Sequence, residues 1–384
     1  MNREKLIYLD YAAATPLDPK ALEAMIPYYR DDFYNPSSPY DPAIQIRRAY
    51  ESAKETIGRA IGVKSHELVM TAGATESINL AFRSVSGHVI TSVVEHQAVL
   101  EAAARRDHSF VSVFPNGRIN LDELTGMIRP DTELISIGLA NNEIGTIQPL
   151  KDIAERIERE RVRRREHGET RPLYLHSDAS QGLGLLDIHV SRLGVDMLTL
   201  NAAKVYGPKQ VGLLWAARQV RLQPAIVGGG QEQGMRSGTE NVPGVIGFSV
   251  ALQAAESRRK HESERLRGLR DWLRNELRLT FPEMVISGDI RHQLPNFLSI
   301  SFPGLDGERL LFLLEMKGVL VATGSACAAN KGTRSHVLMA IGLAAEVVDG
   351  SLRVSLGKDT DEQSIRYAYD AIVEVVRLEQ ERNS

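Results

Sequence analysis

Short apolar runs alternate with longer helical stretches through the first two thirds of the chain, and this alternation constrains the fold more than any other feature. Such a pattern predicts βαβ units, hence an α/β fold with a mostly parallel central sheet and helices on both faces. The candidate strands are Glu67–Thr71, His88–Ser92, Leu134–Leu139, Leu173–Ser177, Met197–Leu200 and Val211–Ala216. The candidate helices between them include Ala43–Ile61, Leu121–Met127 and Leu150–Arg165.

The last of these strands is expected to run in the opposite direction. Only about ten residues separate Met197–Leu200 from Val211–Ala216, whereas a helical crossover needs a dozen or more. We therefore predict that Val211–Ala216 is antiparallel to its neighbour.

The character of the sequence changes after residue 255, where the charged helical run Glu256–Leu279 begins. We predict a large domain over residues 1–255 and a smaller α+β domain over residues 256–384. Roughly the first 15 residues are able to pack on the smaller domain. The other candidate elements of the smaller domain are strands near Val285–Ser287 and Phe297–Phe302, a glycine-bearing loop near Thr323–Thr333 and a closing helix over Thr360–Glu381.

Charge and composition argue against several classes of protein. The 384 residues include 46 Lys and Arg and 49 Asp and Glu, a formal net charge of −3, which gives no argument for direct binding of nucleic acid or a membrane surface. No apolar run approaches the roughly 20 residues that span a bilayer, and the opening residues lack the apolar core of a signal peptide, so a cytoplasmic location is expected. The charge-dense run Glu155–Arg165 is interpreted as a solvated helix face, with a basic or partner-docking patch as the alternative.

Three segments follow candidate strands, which is where open α/β folds place their active sites. In Thr71–Ser77, small residues allow backbone N–H groups to approach an anion at a helix N-terminus, and Thr75 and Ser77 are candidate hydroxyl donors. The second segment carries Asp178, a carboxylate able to pair with a protonated ring nitrogen or, equally, to cap a helix. The third carries Lys204, which is suited to covalent attachment to a carbonyl group unless it is an ordinary loop lysine.

The only cysteine, Cys327, cannot form an intrachain disulfide. A lone cysteine is usually a small buried apolar residue. Its glycine-bearing loop, however, suits a nucleophile that has to move between a site and an acceptor.

The order of anion-binding turn, acid and lysine resembles the class V aminotransferase-like family (fold type I), whose members use pyridoxal 5'-phosphate (PLP). Within that family it is similar to the cysteine desulfurases of the NifS/IscS type, group I. The resemblance covers nearly the whole chain and rests on Tyr8–Pro16, Asn35–Ser38, Gly73–Ser77, Glu95–His96, Asn141–Gly145, Asp178–Gln181, Lys204–Lys209, Gly228–Thr239, Gly324-Ser-Ala-Cys327, Ser335–Leu338 and Arg353–Gly357.

The resemblance also implies residue roles, a homodimer and no metal site. Lys204 is identified as the lysine bound covalently to PLP, Asp178 as the partner of the pyridine nitrogen, and His96 as the residue that stacks on the ring. The other implied positions are Asn142 and Gln181 near the phenolic oxygen, Ala74, Thr75 and Asn201 at the phosphate, Thr239 at the phosphate of the neighbouring subunit, and Arg353 with Asn142 at the substrate.

The implied reaction converts L-cysteine to L-alanine and leaves the sulfur on Cys327 as a persulfide. A sulfur-acceptor protein of iron–sulfur cluster assembly, tRNA thiolation or DNA phosphorothioation would then receive it. The alternatives are another class V PLP enzyme, such as a selenocysteine lyase, and a non-catalytic sulfur-relay or scaffold protein.

Two motifs depart from the family pattern. Ala203 replaces the histidine that usually precedes the PLP lysine and contacts the phosphate, and Asn201 stands where a serine is usual. Tyr40 replaces a histidine in the segment after Asn35. A lost charge-assisted phosphate contact would weaken cofactor binding by about 1.5–3 kcal/mol.

Overall fold

The structure is a computed structural model that describes residues 6–324 and 334–383, so the predicted nucleophile Cys327 lies outside the described residues. Its largest sheet has seven strands in the spatial order β2-β8-β7-β6-β5-β3-β4. The strands of this sheet are β2 (Leu68–Thr71), β3 (His88–Ser92), β4 (His108–Val111), β5 (Thr132–Ser136), β6 (Tyr174–Asp178), β7 (Met197–Asn201) and β8 (Gly212–Ala216).

Six of these strands run in one direction, and β8 is antiparallel to both of its neighbours, β2 and β7. The predicted antiparallel strand is therefore confirmed. Strands β3 and β5 are buried along their whole length, as expected for parallel strands covered on both faces. Strand β4 was not predicted, because this partly exposed edge strand reads His-Ser-Phe-Val and has no continuous apolar run.

Helices cover both faces of the large sheet, which confirms the predicted α/β architecture. Alternate strand residues enter opposite cores: Met70 packs with α3 and α9, whereas Val69 packs with α4. The helices up to the predicted boundary are α1 (Pro19–Met25), α2 (Pro27–Arg30), α3 (Asp41–Ile61), α4 (Ala74–Arg83), α5 (Gln97–Ala103), α6 (Leu121–Gly126), α7 (Leu150–Glu166), α8 (Val190–Leu193) and the start of α9 (Val242–Thr280).

Helix α9 is 39 residues long and runs through the predicted domain boundary at residue 255. Leu252 in its first half packs in the core of the large sheet, whereas Leu266 and Leu273 in its second half belong to a separate core. The predicted helical run Glu256–Leu279 is thus only the second part of one helix. The division into two domains remains a prediction, with two distinct cores on either side of the boundary.

The second core surrounds a three-stranded antiparallel sheet, β9-β10-β12. The N-terminal strand β1 pairs in parallel with β11, and Leu9 enters this second core, so the start of the described chain packs with the C-terminal part. The remaining elements are β1 (Ile7–Tyr8), β9 (Val285–Ser287), β10 (Phe297–Ser301), α10 (Gly307–Met316), β11 (Val319–Leu320), α11 (His336–Ala340), α12 (Ala345–Asp349), β12 (Ser351–Ser355) and α13 (Glu362–Asn383). Among the helices of residues 6–324 and 334–383, none is long and apolar enough to cross a membrane.

A buried histidine sits inside the large sheet. The His176 side chain lies on β6, with Nδ1 2.8 Å from the Ser136 hydroxyl and Nε2 2.9 Å from the Thr199 hydroxyl. Burial lowers the pKa of His176 from 6.5 to about 3, because the charged imidazolium would have to leave water. The ring is therefore neutral in the folded protein at any pH near neutrality.

This depressed pKa predicts a loss of stability in mild acid. Below pH 6.5 the unfolded chain binds a proton at His176 that the folded chain does not, so the free energy of unfolding falls as pH falls. The single group contributes a loss of about 1.5 kcal/mol between pH 6.5 and about pH 5. Urea unfolding at several pH values should show a loss smaller by this amount in His176→Gln than in the wild type. Parallel pH curves for the two proteins would contradict the assignment.

Candidate active site

A cavity of about 290 Å³ opens at the carboxyl ends of the parallel strands, where the predicted segments converge. Of the ten predicted site residues that the structure describes, nine line it and Thr239 does not. The nine are Ala74, Thr75, His96, Asn142, Asp178, Gln181, Asn201, Lys204 and Arg353.

The first wall of the cavity is the start of α4. Gly73 has a φ of +139°, and the helix that follows it presents Ala74 and Thr75 to the cavity. The first backbone N–H groups of a helix have no intrahelical partner and carry partial positive charge, so this corner suits an anion. Ser77 is not a donor here, because its buried hydroxyl lies 2.7 Å from that of Thr71. The sequence prediction for Ser77 was wrong in this respect.

The floor of the cavity is the end of β6. The Asp178 carboxylate accepts a hydrogen bond from the backbone N–H of Ser180 at 2.9 Å, and Gln181 donates to the carbonyl of Ala12 at 3.1 Å. Asp178 therefore supports the turn that follows β6 and lines the cavity. The N-cap of the turn Ser180–Gly182 is Ala179, so Asp178 is not a helix cap, and its pairing with a ring nitrogen stays a prediction. The Ser180 hydroxyl is buried and has no hydrogen-bond partner within the described part of the chain.

Lys204 is placed by a single helical turn, Ala202–Lys204, directly after β7. Its ammonium group donates to the carbonyls of Ala12 and Ala13, at 2.7 Å each. The turn is itself held by the N-terminal segment, because Thr15 donates to the Ala203 carbonyl through both its backbone N–H, at 3.1 Å, and its hydroxyl, at 3.0 Å. The lysine is thus fixed in the cavity by a segment nearly 200 positions away in the chain.

His96 stands at the start of α5, where its Nδ1 accepts a hydrogen bond from the backbone N–H of Ala98 at 3.1 Å. The side chain is accessible through the open cavity, yet the surrounding protein desolvates the ring and lowers the pKa of His96 below 6.5. Asp178 opposes this effect by raising the pKa, whereas the nearby Lys204 and His336 lower it further. The ring is therefore neutral near pH 7, with its proton on Nε2 because Nδ1 accepts.

Arg353 lies on β12, where its side chain is almost fully buried at 3% exposure. The guanidinium donates to the Asn142 carbonyl at 2.9 Å and to the Asp10 carboxylate at 2.6 Å. Its Nε has no hydrogen-bond partner among residues 6–324 and 334–383. A buried guanidinium with a donor to spare at a cavity wall suits a carboxylate ligand.

The sequence does not indicate the roles of several residues that shape the cavity, although some of them lie in the motifs named above. Glu95 lines the cavity, accepts hydrogen bonds from the Gly138 N–H at 3.1 and 3.0 Å, and has a pKa raised to about 8 by burial and by the nearby Asp178. Asp10 and the carbonyls of Ala12 and Ala13 hold the two cationic side chains. Their contacts span most of the chain, so local sequence carries no sign of them.

The structure also gives the surroundings of Thr239, Tyr40 and Asn201. Thr239 is exposed on the loop after β8 and is not part of this chain's cavity. Tyr40 is half exposed and packs edge-on against Tyr34, with ring centres 6.1 Å apart. The backbone N–H of Ala203 donates to the Asn201 side-chain oxygen at 3.1 Å, which leaves the carboxamide NH₂ of Asn201 at the cavity wall.

The donor set of the cavity fits PLP. The α4 N-terminus with Thr75 and Asn201 suits the phosphate, Asp178 suits a protonated ring nitrogen, and Lys204 suits the aldehyde carbon. The buried Ser180 hydroxyl and Arg353 Nε, each without a partner in the described part of the chain, are the kind of groups that a bound ligand satisfies. Within residues 6–324 and 334–383, no group of three His, Cys, Asp or Glu is arranged to hold a metal ion.

Comparisons with known proteins agree with this geometry. The aminotransferase class-V family model matches residues 7–367. A protein named cysteine desulfurase IscS from Dictyoglomus turgidum is 39% identical, over 98% of this chain and 95% of that protein. A solved structure of a NifS-like protein superposes with a TM-score of 0.89 at 33% identity, over 97% of this chain and 100% of that one. A structure of SspA in complex with cysteine gives a TM-score of 0.76 at 34% identity, over 91% of this chain and 98% of that one.

The matches extend along nearly the whole chain and agree in sequence and in fold, and the family is one of PLP-dependent enzymes. The chain belongs to the aminotransferase class-V family and, within it, to the cysteine desulfurases of the NifS/IscS type.

Proposed function

We propose that this cavity binds PLP and removes sulfur from L-cysteine, with Cys327 as the first sulfur acceptor. The proposal rests on one observation: a single cavity is lined by Lys204, Asp178, His96 and Arg353. The structure of SspA, a relative of similar fold, contains bound cysteine, which supports the free amino acid as the substrate. The products are L-alanine and a persulfide on Cys327.

Each cavity residue has a separate task in this proposal. When bound, PLP supplies an electron sink next to the substrate α-carbon. Asp178 keeps the ring nitrogen protonated, the guanidinium of Arg353 binds the substrate carboxylate, and Lys204 moves protons at the substrate α-carbon. His96, neutral with its proton on Nε2, stacks on the ring and exchanges that proton with the substrate.

The sulfur transfer is a displacement at the substrate sulfur. The thiolate of Cys327 forms a sulfur–sulfur bond while the bond between the substrate β-carbon and sulfur breaks. The electron pair of the broken bond stays on the substrate, where a proton completes the methyl group of alanine. The balance is one cysteine and one enzyme thiol giving one alanine and one enzyme persulfide, so no external oxidant is needed.

Two substitutions test this division of tasks. Lys204→Ala should lower alanine formation by about 10²–10⁴-fold, because proton transfer at the α-carbon loses its acid and base. Cys327→Ser should abolish sulfide release with a thiol reductant present, because no persulfide forms. Alanine and sulfide are measured in parallel, with Lys151→Ala, on the exposed start of α7, as a control.

The outcomes separate the alternatives. A wild-type protein without the PLP absorbance band, even after PLP is supplied, would favour a non-catalytic relay protein. Equal sulfide release from Cys327→Ser and wild type would remove the persulfide step and leave another class V lyase.

We further propose that Asn201 supplies part of the phosphate contact that Ala203 cannot. The Ala203 side chain has no donor, whereas the Asn201 carboxamide lies at the cavity wall with its oxygen already bonded to the Ala203 N–H. Its NH₂ group is thus the atom left for the phosphate, together with Thr75 and the α4 N-terminus.

A pair of variants at this position separates phosphate binding from support of the turn. Asn201→Ala should weaken PLP binding about tenfold, because one hydrogen bond to a charged group is lost. Asn201→Asp keeps an acceptor for the Ala203 N–H but adds a negative charge, so we expect it to weaken binding more than Asn201→Ala. The dissociation constant is measured by fluorescence titration of the apoenzyme, with Asn275→Ala, on the exposed face of α9, as the control. Weaker binding in Asn201→Ala than in Asn201→Asp would contradict the assignment.

We also propose a homodimer in which Thr239 reaches the phosphate of the partner. Thr239 is exposed and lies outside its own cavity. The residue after it, Glu240, is paired at 3.0 Å with Arg47, which also donates to the Pro36 carbonyl. Through Arg47, the residue after Thr239 is linked to Pro36, three positions after Phe33. Phe33 is an exposed aromatic residue of the kind that a partner subunit covers, which supports the proposal.

Phe33→Glu should separate the subunits and weaken PLP binding together, because a buried interface does not accept the charge. Light scattering on the wild type should give twice the chain mass of 42.5 kDa. Phe312→Glu is the matched control, since Phe312 is 59% exposed on α10 and Phe33 is 65% exposed. A wild-type monomer with full PLP affinity would contradict the shared site.

The sulfur on Cys327 is proposed to pass to an acceptor protein, with no direct contact to nucleic acid or membrane. Iron–sulfur scaffold, tRNA thiolation and DNA phosphorothioation systems all use this chemistry, and the described residues favour none of them over the others. A cytoplasmic location completes the proposal, because a reducing compartment keeps a catalytic cysteine available as thiolate.

A further inference from the structure

Both flanks of the segment that carries Cys327 meet the same buried carboxyl group. The described chain ends at Gly324 before this segment and resumes at residue 334 after it. The Ser335 hydroxyl donates a hydrogen bond to Oε2 of Glu143, and a Cβ added at Gly324 would lie 3.2 Å from that oxygen. Two points eleven residues apart in the chain are thus packed against one side chain of the loop after β5.

The contact with Ser335 has a defined direction. The Ser335 hydroxyl accepts a hydrogen bond from the backbone N–H of Leu338 at 3.1 Å, which caps α11. Its single proton is therefore directed to Glu143, and the carboxyl oxygen is the acceptor. Glu143 therefore fixes the N-cap of α11, one residue after the position where the described chain resumes.

The contact with Gly324 depends on the absence of a side chain. Gly324 has a φ of +53°, a left-handed conformation that favours glycine, and a Cβ there would also lie 3.2 Å from the Cβ of Ser335. One close-packed group is therefore formed by Gly324, Ser335 and Glu143. A shift of any one of them would change its contacts with the other two.

Glu143 is itself rigidly held to the cavity. The backbone N–H groups of Glu143 and Ile144 donate to the side-chain oxygen of Asn141, at 2.8 and 3.0 Å. The Asn141 carboxamide donates to the Val94 carbonyl at 2.7 Å, two residues before His96. Asn141 lines the cavity, so the position of Glu143 is tied to the site where cysteine is proposed to react.

An apolar cluster and a second polar contact support the same junction. Val94 and Ile144 pack with Val337 and Leu338 of α11. The His336 ring lies with Nε2 3.0 Å from the Glu95 carbonyl, directly before His96. These contacts hold α11 against the β3–α5 loop, while Glu143 meets both flanks.

We propose that Glu143 is a positioning residue for sulfur transfer: by holding Gly324 and Ser335 together it sets where the segment with Cys327 leaves and re-enters the protein. The inference rests on the proposed function of Cys327. It makes no use of the structure of residues 325–333. A nucleophile displaced by about 1 Å from its substrate loses on the order of a hundredfold in rate, so an anchor of this kind has a measurable effect.

The test separates cysteine binding from sulfur transfer in the PLP-loaded enzyme. The change in the PLP absorbance band on addition of L-cysteine reports binding, and mass spectrometry of rapidly quenched enzyme reports the persulfide on the only cysteine. In Glu143→Ala we expect the half-saturating cysteine concentration to stay within about twofold of wild type and persulfide formation to slow by about 10–100-fold. Glu143→Gln keeps a carbonyl acceptor for Ser335, so its rate should be restored to within about threefold of wild type.

Two further variants keep the test independent of folding defects. Ser335→Ala should slow persulfide formation as Glu143→Ala does, and the double variant should be no slower than either one, because both remove the same contact. Glu133→Ala is the matched control, since Glu133 is also a buried glutamate of the large sheet but contacts the N–H groups of Ser86 and Gly87 far from Gly324. It should unfold at a lower temperature without slowing sulfur transfer in the folded fraction.

The results distinguish the inference from the proposed function. Wild-type speed in Glu143→Ala, or equal slowing in Glu143→Ala and Glu143→Gln, would overturn the inference and leave the function intact. A wild-type enzyme that binds cysteine but never forms a persulfide would overturn the proposed function instead.

Discussion

The N-terminal segment from Asp10 to Thr15 holds both cationic side chains of the cavity. Asp10 pairs with Arg353 at 2.6 Å, and the carbonyls of Ala12 and Ala13 accept hydrogen bonds from Lys204. The two cations come from different parts of the fold, one from the turn after β7 and one from β12. Because burying a cation without acceptors costs several kcal/mol, this one segment makes both placements possible. It also joins the core of the large sheet to the second core.

The surroundings of the acidic side chains near the cavity shift their pKa values by different amounts. Burial raises the pKa of Glu95 to about 8 and raises the pKa of Glu143 above its usual range. Glu95 therefore adds less negative charge near pH 7 than an exposed glutamate would. Burial also lowers the pKa of His96, so the ring contributes no positive charge. Asp178 is left as the carboxylate that faces the cavity, which is the arrangement a protonated ring nitrogen requires.

Local sequence was sufficient for much of the fold and for the residues at strand ends. The apolar runs located six of the seven strands of the large sheet, because strands of a mostly parallel sheet that are buried on both faces have to be continuously apolar. The short connection between β7 and β8 correctly predicted that β8 runs antiparallel to β7. Strand β4 was not predicted because edge strands carry polar residues. The full length of α9 was not predicted because its first half is apolar on most sides and its second half is charged.

The limits of sequence reasoning are clearest where contacts join distant positions. Asp10 and Arg353 are 343 residues apart, and Glu143 and Ser335 are 192 apart. Each of these residues lies in a motif that the resemblance already covered, yet nothing in a single motif indicates which partner it meets. Ser77 shows the converse error: a hydroxyl in the right motif turned out to be bonded to Thr71 and unavailable to a ligand.

The same reasoning explains why the chain accommodates alanine at position 203. The backbone there is fixed on both sides, since its N–H donates to Asn201 and its carbonyl receives two hydrogen bonds from Thr15. These bonds involve no atom of the residue 203 side chain, so the position of Lys204 does not depend on what that side chain is. We therefore expect alanine in place of histidine to change the number of phosphate contacts without moving the lysine. The expected consequence is a lower affinity for the cofactor, which the α4 N-terminus, Thr75 and Asn201 are able to offset.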